Sequence, residues 1–296
     1  MQNESERGKY NSSKTRVYPA FSCLVKNNLV EKFLERIGDF LVGDEVPKKS
    51  LPPFSSIINI RFEGHTNKNG EKGEWGFGPN QDFLRWLLNC DDINFARMRK
   101  KSADCKKPDD SSSADDWRAW LLSPDKRQRD YALKKAKEAG GPKAGLKRWY
   151  VLESPSRPDV VIETNSFVLV IEGKRTEPRI TDHTTWMKHR DQLIRHMDGA
   201  YDYAIGEKKK VYGLYIVEDP CKYNFKKYAG GPYRRGSSMS CWEESLPHRS
   251  QGKRKYLKEH FLGHILWTDL LKIDKSICYI DSVSDNCVHG AKGRDC

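Results

Sequence analysis

Residues 156–177 read SRPDVVIETNSFVLVIEGKRTE, two short apolar runs joined by a polar tip, with Asp159 leading into the first and Glu172-Gly173-Lys174 leaving the second. Their length and β-branched content make both runs strands, and the short connection makes them an antiparallel hairpin. Residues i and i+2 of a strand share a face, so Glu172 and Lys174 point the same way while Gly173 points opposite or serves through its backbone. With the turn centred on Asn165 and Ser166, residues whose numbers sum to 331 lie opposite each other, and Asp159 faces Glu172. Two carboxylates and an ammonium then meet at one end of the hairpin, a geometry that a one-residue slip would break.

Two converging carboxylates form a hard oxygen site suited to Mg²⁺, with Mn²⁺ as a substitute, and the Gly173 carbonyl can add a ligand where a side chain would crowd. A cation held by Asp159 and Glu172 can polarise a phosphodiester and acidify a bound water, while Lys174 orients that water or stabilises charge on the phosphorus oxygens. A salt-bridged Asp-Lys-Glu cluster of purely structural purpose is the competing reading. Glu163 shares a face with Asp159 by even spacing and is a candidate to extend the site.

Upstream, residues 1 to about 18 are polar and read as a loose tail. NNLVEKFLERIGDFLV spaces Leu29, Phe33, Ile37 and Phe40 as one face of a helix. SSIINIRFE predicts a strand and NQDFLRWLLNC a second helix packing Phe83, Trp86 and Leu87. The Ser-rich, charged RKKSADCKKPDDSSSADD reads as a surface insertion, followed by helices at DDWRAWLL and DKRQRDYALKKAKEA. RWYVLES predicts a further strand before the hairpin. Trp75, Trp117 and Trp120 are expected as core anchors.

Downstream, Thr184 to about Ala204 predicts a helix with Trp186, Leu193, Met197, Ala200 and Ala204 roughly along one face, and KKVYGLYIVED a buried strand. Residues 221–255 read as a basic irregular segment, and YLKEHFLGHILWTDLLKI as a final helix. Within the basic segment, Lys226, Lys227, Arg234 and Arg235 alternate with tyrosines, a composition that grips a phosphate backbone and stacks on bases. His183, His189 and His196 are expected on a partly exposed helix surface. The resulting class is α/β, a central mixed β-sheet flanked by helices, divided into a tail (1–18), an N-terminal mostly helical region with an insertion (19–147) and a core (148–296).

The chain has 296 residues, 53 Lys and Arg against 41 Asp and Glu, and a formal charge of +12, which favours a polyanionic partner. Its eight cysteines contain no C-x-x-C pair and read as reduced thiols; Cys287 and His289 make only a weak case for a metal pair. With neither a signal core nor an apolar run of membrane-spanning length, the expectation is a soluble cytoplasmic protein with no membrane partner.

Pro158-Asp159, twelve residues, then Glu172-Gly173-Lys174 resembles the PD-(D/E)XK nuclease superfamily, with its restriction-endonuclease-like core, over roughly Arg148 to Ile273. HILWTDLLKI is similar to a late helix of that family, and Gln192 sits where some members carry a functional Gln. The resemblance implies Asp159 and Glu172 as Mg²⁺ ligands, Lys174 at the reacting water, and one further acidic residue from an earlier helix. Glu31, Glu35, Asp82, Asp116 and Asp130 all qualify for that last place, with Glu35 preferred. It further implies a DNA endonuclease of restriction, defence, repair or mobile-element processing, in many relatives a homodimer. An RNA endonuclease and a nucleic-acid-binding module that cleaves nothing are the alternatives.

Overall fold

The computed structural model describes residues 16–41, 51–89, 116, 120, 127, 128, 130, 131, 134, 153, 155–174, 190–218, 239–280 and 287–289. The tail up to residue 15, most of the Ser-rich insertion and of RWYVLES, Trp117, His183, Trp186, His189 and the four basic residues Lys226, Lys227, Arg234 and Arg235 lie outside them.

Helices α1 (Tyr18–Lys26) and α2 (Val30–Phe40) come first, then strand β1 (Ile57–Phe62) and helix α3 (Gln81–Asn89). The hairpin follows as β2 (Val160–Thr164) and β3 (Phe167–Gly173), then helix α4 (Gln192–Gly206) and β4 (Lys210–Val217). Next come α5 (Met239–Ser245), α6 (Gln251–Glu259), β5 (Phe261–Leu266) and the short α7 (Trp267–Leu270). A separate two-stranded ribbon pairs β6 (Cys278–Ile280) with β7 (Cys287–His289).

The main sheet is open and mixed, in the order β1-β2-β3-β4-β5. The pairs β1–β2 and β2–β3 are antiparallel, whereas β3–β4 and β4–β5 are parallel. Tight turns join antiparallel strands, but a parallel pair needs a crossover, which α4 supplies between β3 and β4. Every residue of β2 and β3 is buried, as expected of strands covered on both faces.

Strand alternation divides the core in two. Phe167, Leu169 and Ile171 of β3 join Phe21, Phe33 and Ile37 from α1 and α2 on one side. Val168 and Val170 join Leu193, Met197 and Ala200 of α4 on the other. Continuing that alternation sends Glu172 and Lys174 to the α4 side and Gly173 to the α1 side.

α2 buries Phe33, Ile37 and Phe40 on the predicted face, and α3 buries Phe83 and Leu87 while leaving Trp86 half-buried. Trp120 is buried, and Trp75 is half-buried, stacked on Phe77. Arg16 and Val17, read from composition as part of the loose tail, are buried, Arg16 with an ion pair of 2.6 Å to Glu218 just past β4. The largest correction concerns YLKEHFLGHILWTDLLKI, which is the end of α6, strand β5 and α7 rather than one helix. FLGHIL is a short apolar run whose periodicity suits either state, and pairing with β4 decides for the strand. The stretch expected to be irregular up to residue 255 likewise contains α5 and the start of α6.

Candidate active site

The hairpin folds in the predicted register. Val160 pairs with Ile171, Val161 with Val170, Ile162 with Leu169 and Glu163 with Val168. Thr164 sets the turn, its Oγ1 accepting from the backbone N–H of Ser166 at 3.1 Å and of Phe167 at 3.0 Å. Asp159 thereby lies at the Glu172 end, where its Oδ2 accepts the Gly173 N–H at 2.8 Å.

Glu172 is buried and held at both oxygens. Lys174 Nζ donates to Oε1 at 2.8 Å, and His196 Nε2 stands 3.0 Å from Oε2. Lys174 Nζ also donates to Gln192 Oε1 at 2.9 Å, which brings the first turn of α4 into the cluster. The Lys174 backbone is fixed on two sides, its N–H donating to Ile216 O at 2.8 Å and its carbonyl accepting from Trp267 Nε1 at 2.9 Å. Behind the cluster there is no room for a side chain at residue 173. A Cβ there would stand 2.8 Å from Val17 Cγ2 and 2.9 Å from Trp267 Cζ2, so only Gly lets α1 and Trp267 close against the strand end.

The electrostatics are those of crowded carboxylates. Burial and the Glu172 charge push the Asp159 carboxyl well above its ordinary value, although part of that residue stays accessible. For Glu172, burial pushes upward, but the Lys174 charge and the His196 hydrogen bond prevail and hold it below the usual value. Asp191, which caps α4 through the Ile194 N–H at 3.0 Å, is pushed up to about 6, chiefly by burial. Burial lowers the His196 imidazole, favouring its neutral form against the pull of Glu172.

Sequence reasoning therefore places Asp159, Glu172, Gly173, Lys174 and Gln192 together as the structure does, but other expectations fail. Glu163 does share the Asp159 face, yet it lies at the far end of β2. There it accepts from Lys209 Nζ at 2.5 Å and from Tyr203 OH at 2.6 Å, a buried structural pair. Glu35 is exposed on α2, whose buried face packs on the α1 side of the sheet, opposite the side that carries Glu172. An upstream carboxylate that senses the cluster is Glu74, in the loop between β1 and α3. Burial and the charge of Glu63 raise it, with Glu172 adding to the effect, and it in turn raises Asp159. His196 is fully buried rather than part of an exposed surface, and its Nδ1 bonds the Ser156 hydroxyl. Its four-residue spacing from Gln192 on one helical face was the available signal.

Among the described residues no three His, Cys, Asp or Glu side chains form a ready-made metal cluster. The pair itself is short of positive charge, and Asp159 Oδ1 has no hydrogen-bond partner among the described residues. That donor set fits a hard divalent cation of the Mg²⁺ type, which commonly takes one or two carboxylates and completes its shell with water and substrate phosphate. No described helix is long and apolar enough to cross a membrane. No family model, curated protein or solved structure matches this chain.

Proposed function

We propose that the chain is a divalent-metal-dependent nuclease with a restriction-endonuclease-like core, and that DNA is its favoured substrate. The observation that carries this reading is the hairpin register that sets Asp159 beside the Glu172-Gly173-Lys174 strand end, with Lys174 Nζ held between Glu172 and Gln192. Position within the sheet agrees, since Glu172 stands at the carboxyl end of a parallel strand, the usual location of ligand sites in α/β sheets.

Asp159 and Glu172 would hold Mg²⁺ or Mn²⁺, with the Gly173 carbonyl as a further ligand. The bound ion supplies polarisation of the phosphodiester and a more acidic water. Lys174 Nζ is held between Gln192 and Glu172, so its ammonium is in place to orient a water or to meet charge developing on phosphorus oxygens. The Gly173 N–H fixes one Asp159 oxygen and leaves the other for a ligand. The +12 charge provides general attraction to a polyanion. Lys226, Lys227, Arg234 and Arg235 are proposed phosphate contacts, and a homodimer would allow both strands to be cut.

One observation favours a second reading, a binding module that cleaves nothing: both Glu172 oxygens already have partners. Incubating plasmid, linear duplex, single-stranded DNA and RNA with Mg²⁺, Mn²⁺ or EDTA separates the two. Metal-dependent products that fall about 10²–10³-fold with Asp159→Asn or Lys174→Ala support the nuclease. Salt-sensitive binding without products under either metal supports the module, and preferential RNA cleavage would move the substrate.

A further inference from the structure

Glu172 is gripped by one face of α4 at two points, directly by His196 and through Lys174 by Gln192 one turn earlier. Behind His196 stands a second support. Its Nδ1 bonds the Ser156 hydroxyl, and Ser156 is itself pinned by a two-way backbone bridge to Phe77, 2.8 Å in each direction. That bridge can lie on α4 because residue 199 is glycine. A Cβ there would stand 3.0 Å from Phe77 Cβ and 3.4 Å from Ser156 Cβ. Residues 196 and 199 are helical neighbours, so the contact that seats the bridge also brings its hydroxyl to the imidazole.

We propose that His196 is a positioning residue for Glu172, oriented by Ser156, and that it presents the carboxylate to a divalent cation in a single orientation. The inference rests on reading the Asp159–Glu172 pair as a metal site. An imidazole that accepts at Nδ1 from the Ser156 hydroxyl carries its proton on Nε2, which donates to Glu172 Oε2. The carboxylate is thus fixed before any ion arrives, with lone pairs remaining on both oxygens. The Ser-His-Glu order is also that of a nucleophilic triad. Here, however, Ser156 is buried out of reach of a substrate, so the chain of bonds orients Glu172 instead of supplying a nucleophile.

The test is Mn²⁺ affinity of the full chain, read from the spin resonance of free Mn²⁺, beside a thermal midpoint for each variant. Asp159→Asn is the control for the metal site. His196→Met is expected to weaken Mn²⁺ binding about 10–100-fold, and His196→Gln, which keeps a donor, to recover most of it. Ser156→Ala and Gly199→Ala should fall between, the latter although it removes no polar group. Wild-type affinity in His196→Met, with binding lost in Asp159→Asn, would overturn the positioning role alone. Absence of Mn²⁺ binding by the wild type would overturn the metal site and this role with it. Should His196→Met fail to fold, Ser156→Ala decides alone: wild-type Mn²⁺ affinity in that variant, with the control still losing binding, overturns the relay.

Discussion

Two buried charge clusters share helix α4, one at its first turn and one along its outer side, and their charges balance differently. On the outer side Arg190 grips Glu153 with two bonds of 3.1 Å and reaches Asp198 at 3.1 Å. Arg249 binds Asp198 at 2.6 Å and forks onto Asp202 at 3.0 and 3.2 Å. Phe83 stacks over the Arg190 guanidinium at 4.1 Å. Burial opposes charge on Asp198, yet His248, Arg249 and Arg190 hold it well below the usual carboxylate range. At the first turn, Lys174 faces Asp159 and Glu172, and Glu74 and Asp191 add negative charge; Asp159, Glu74 and Asp191 are all raised. A network whose cations nearly match its carboxylates has finished its work as scaffold, while one far short of cations has capacity for a ligand.

The largest effect expected from this contrast is in the closed network. Asp198→Asn removes the negative charge and one of the two acceptor oxygens shared by two buried guanidiniums, and should cost about 3–5 kcal/mol in urea unfolding at neutral pH. Because the folded carboxyl is depressed, that contribution is present above its unfolded value of 3.8 and is lost as pH falls further, so variant and wild type should converge in acid. A loss no larger than that of a surface pair would break the comparison.

Asp191 should behave with the opposite sign. Its carboxyl rises from 3.8 unfolded to about 6 folded, so the native state binds the extra proton and wild-type stability falls as pH climbs through that window. Asp191→Asn keeps a good helix cap and removes the titration. Relative to wild type it should gain stability from pH 4 to pH 6 and level off about 3 kcal/mol higher, measured by thermal melts across pH. A flat difference would show that the first turn is not charge-strained.

The smallest effect is expected for Asp159→Asn. It relieves like-charge repulsion with Glu172 while an amide oxygen can still accept the Gly173 N–H, so the urea midpoint should rise with no change in slope. A fall in the midpoint would mean that Asp159 is a structural ion-pair partner.

What could be read from sequence was local. The hairpin register followed from two apolar runs around a short turn, and it carried Asp159, Glu172 and Lys174 with it; Gln192 came through the family resemblance. Glu163 was misread because alternation gives a face but no position along it, and Lys209 and Tyr203 claim it at the far end. His196 and Glu74 depend on tertiary placement. Nothing near residue 196 announces that a bridge at Phe77 and Ser156 will cover it, and a loop glutamate has no periodicity to read. β5 was lost because a six-residue, mostly apolar run flanked by helical sequence carries no distinctive period.

The tight seat of Gly173 between Val17 and Trp267 matters during synthesis. The two carboxylates leave the ribosome early, but the wall behind them includes a tryptophan that is translated much later. At ~5–20 residues per second, extending from residue 173 to residue 267 takes roughly 5–20 s. Throughout that interval the nascent chain carries every residue of the motif without the Trp267 wall behind it, so the back of the site is completed only after elongation has passed β5.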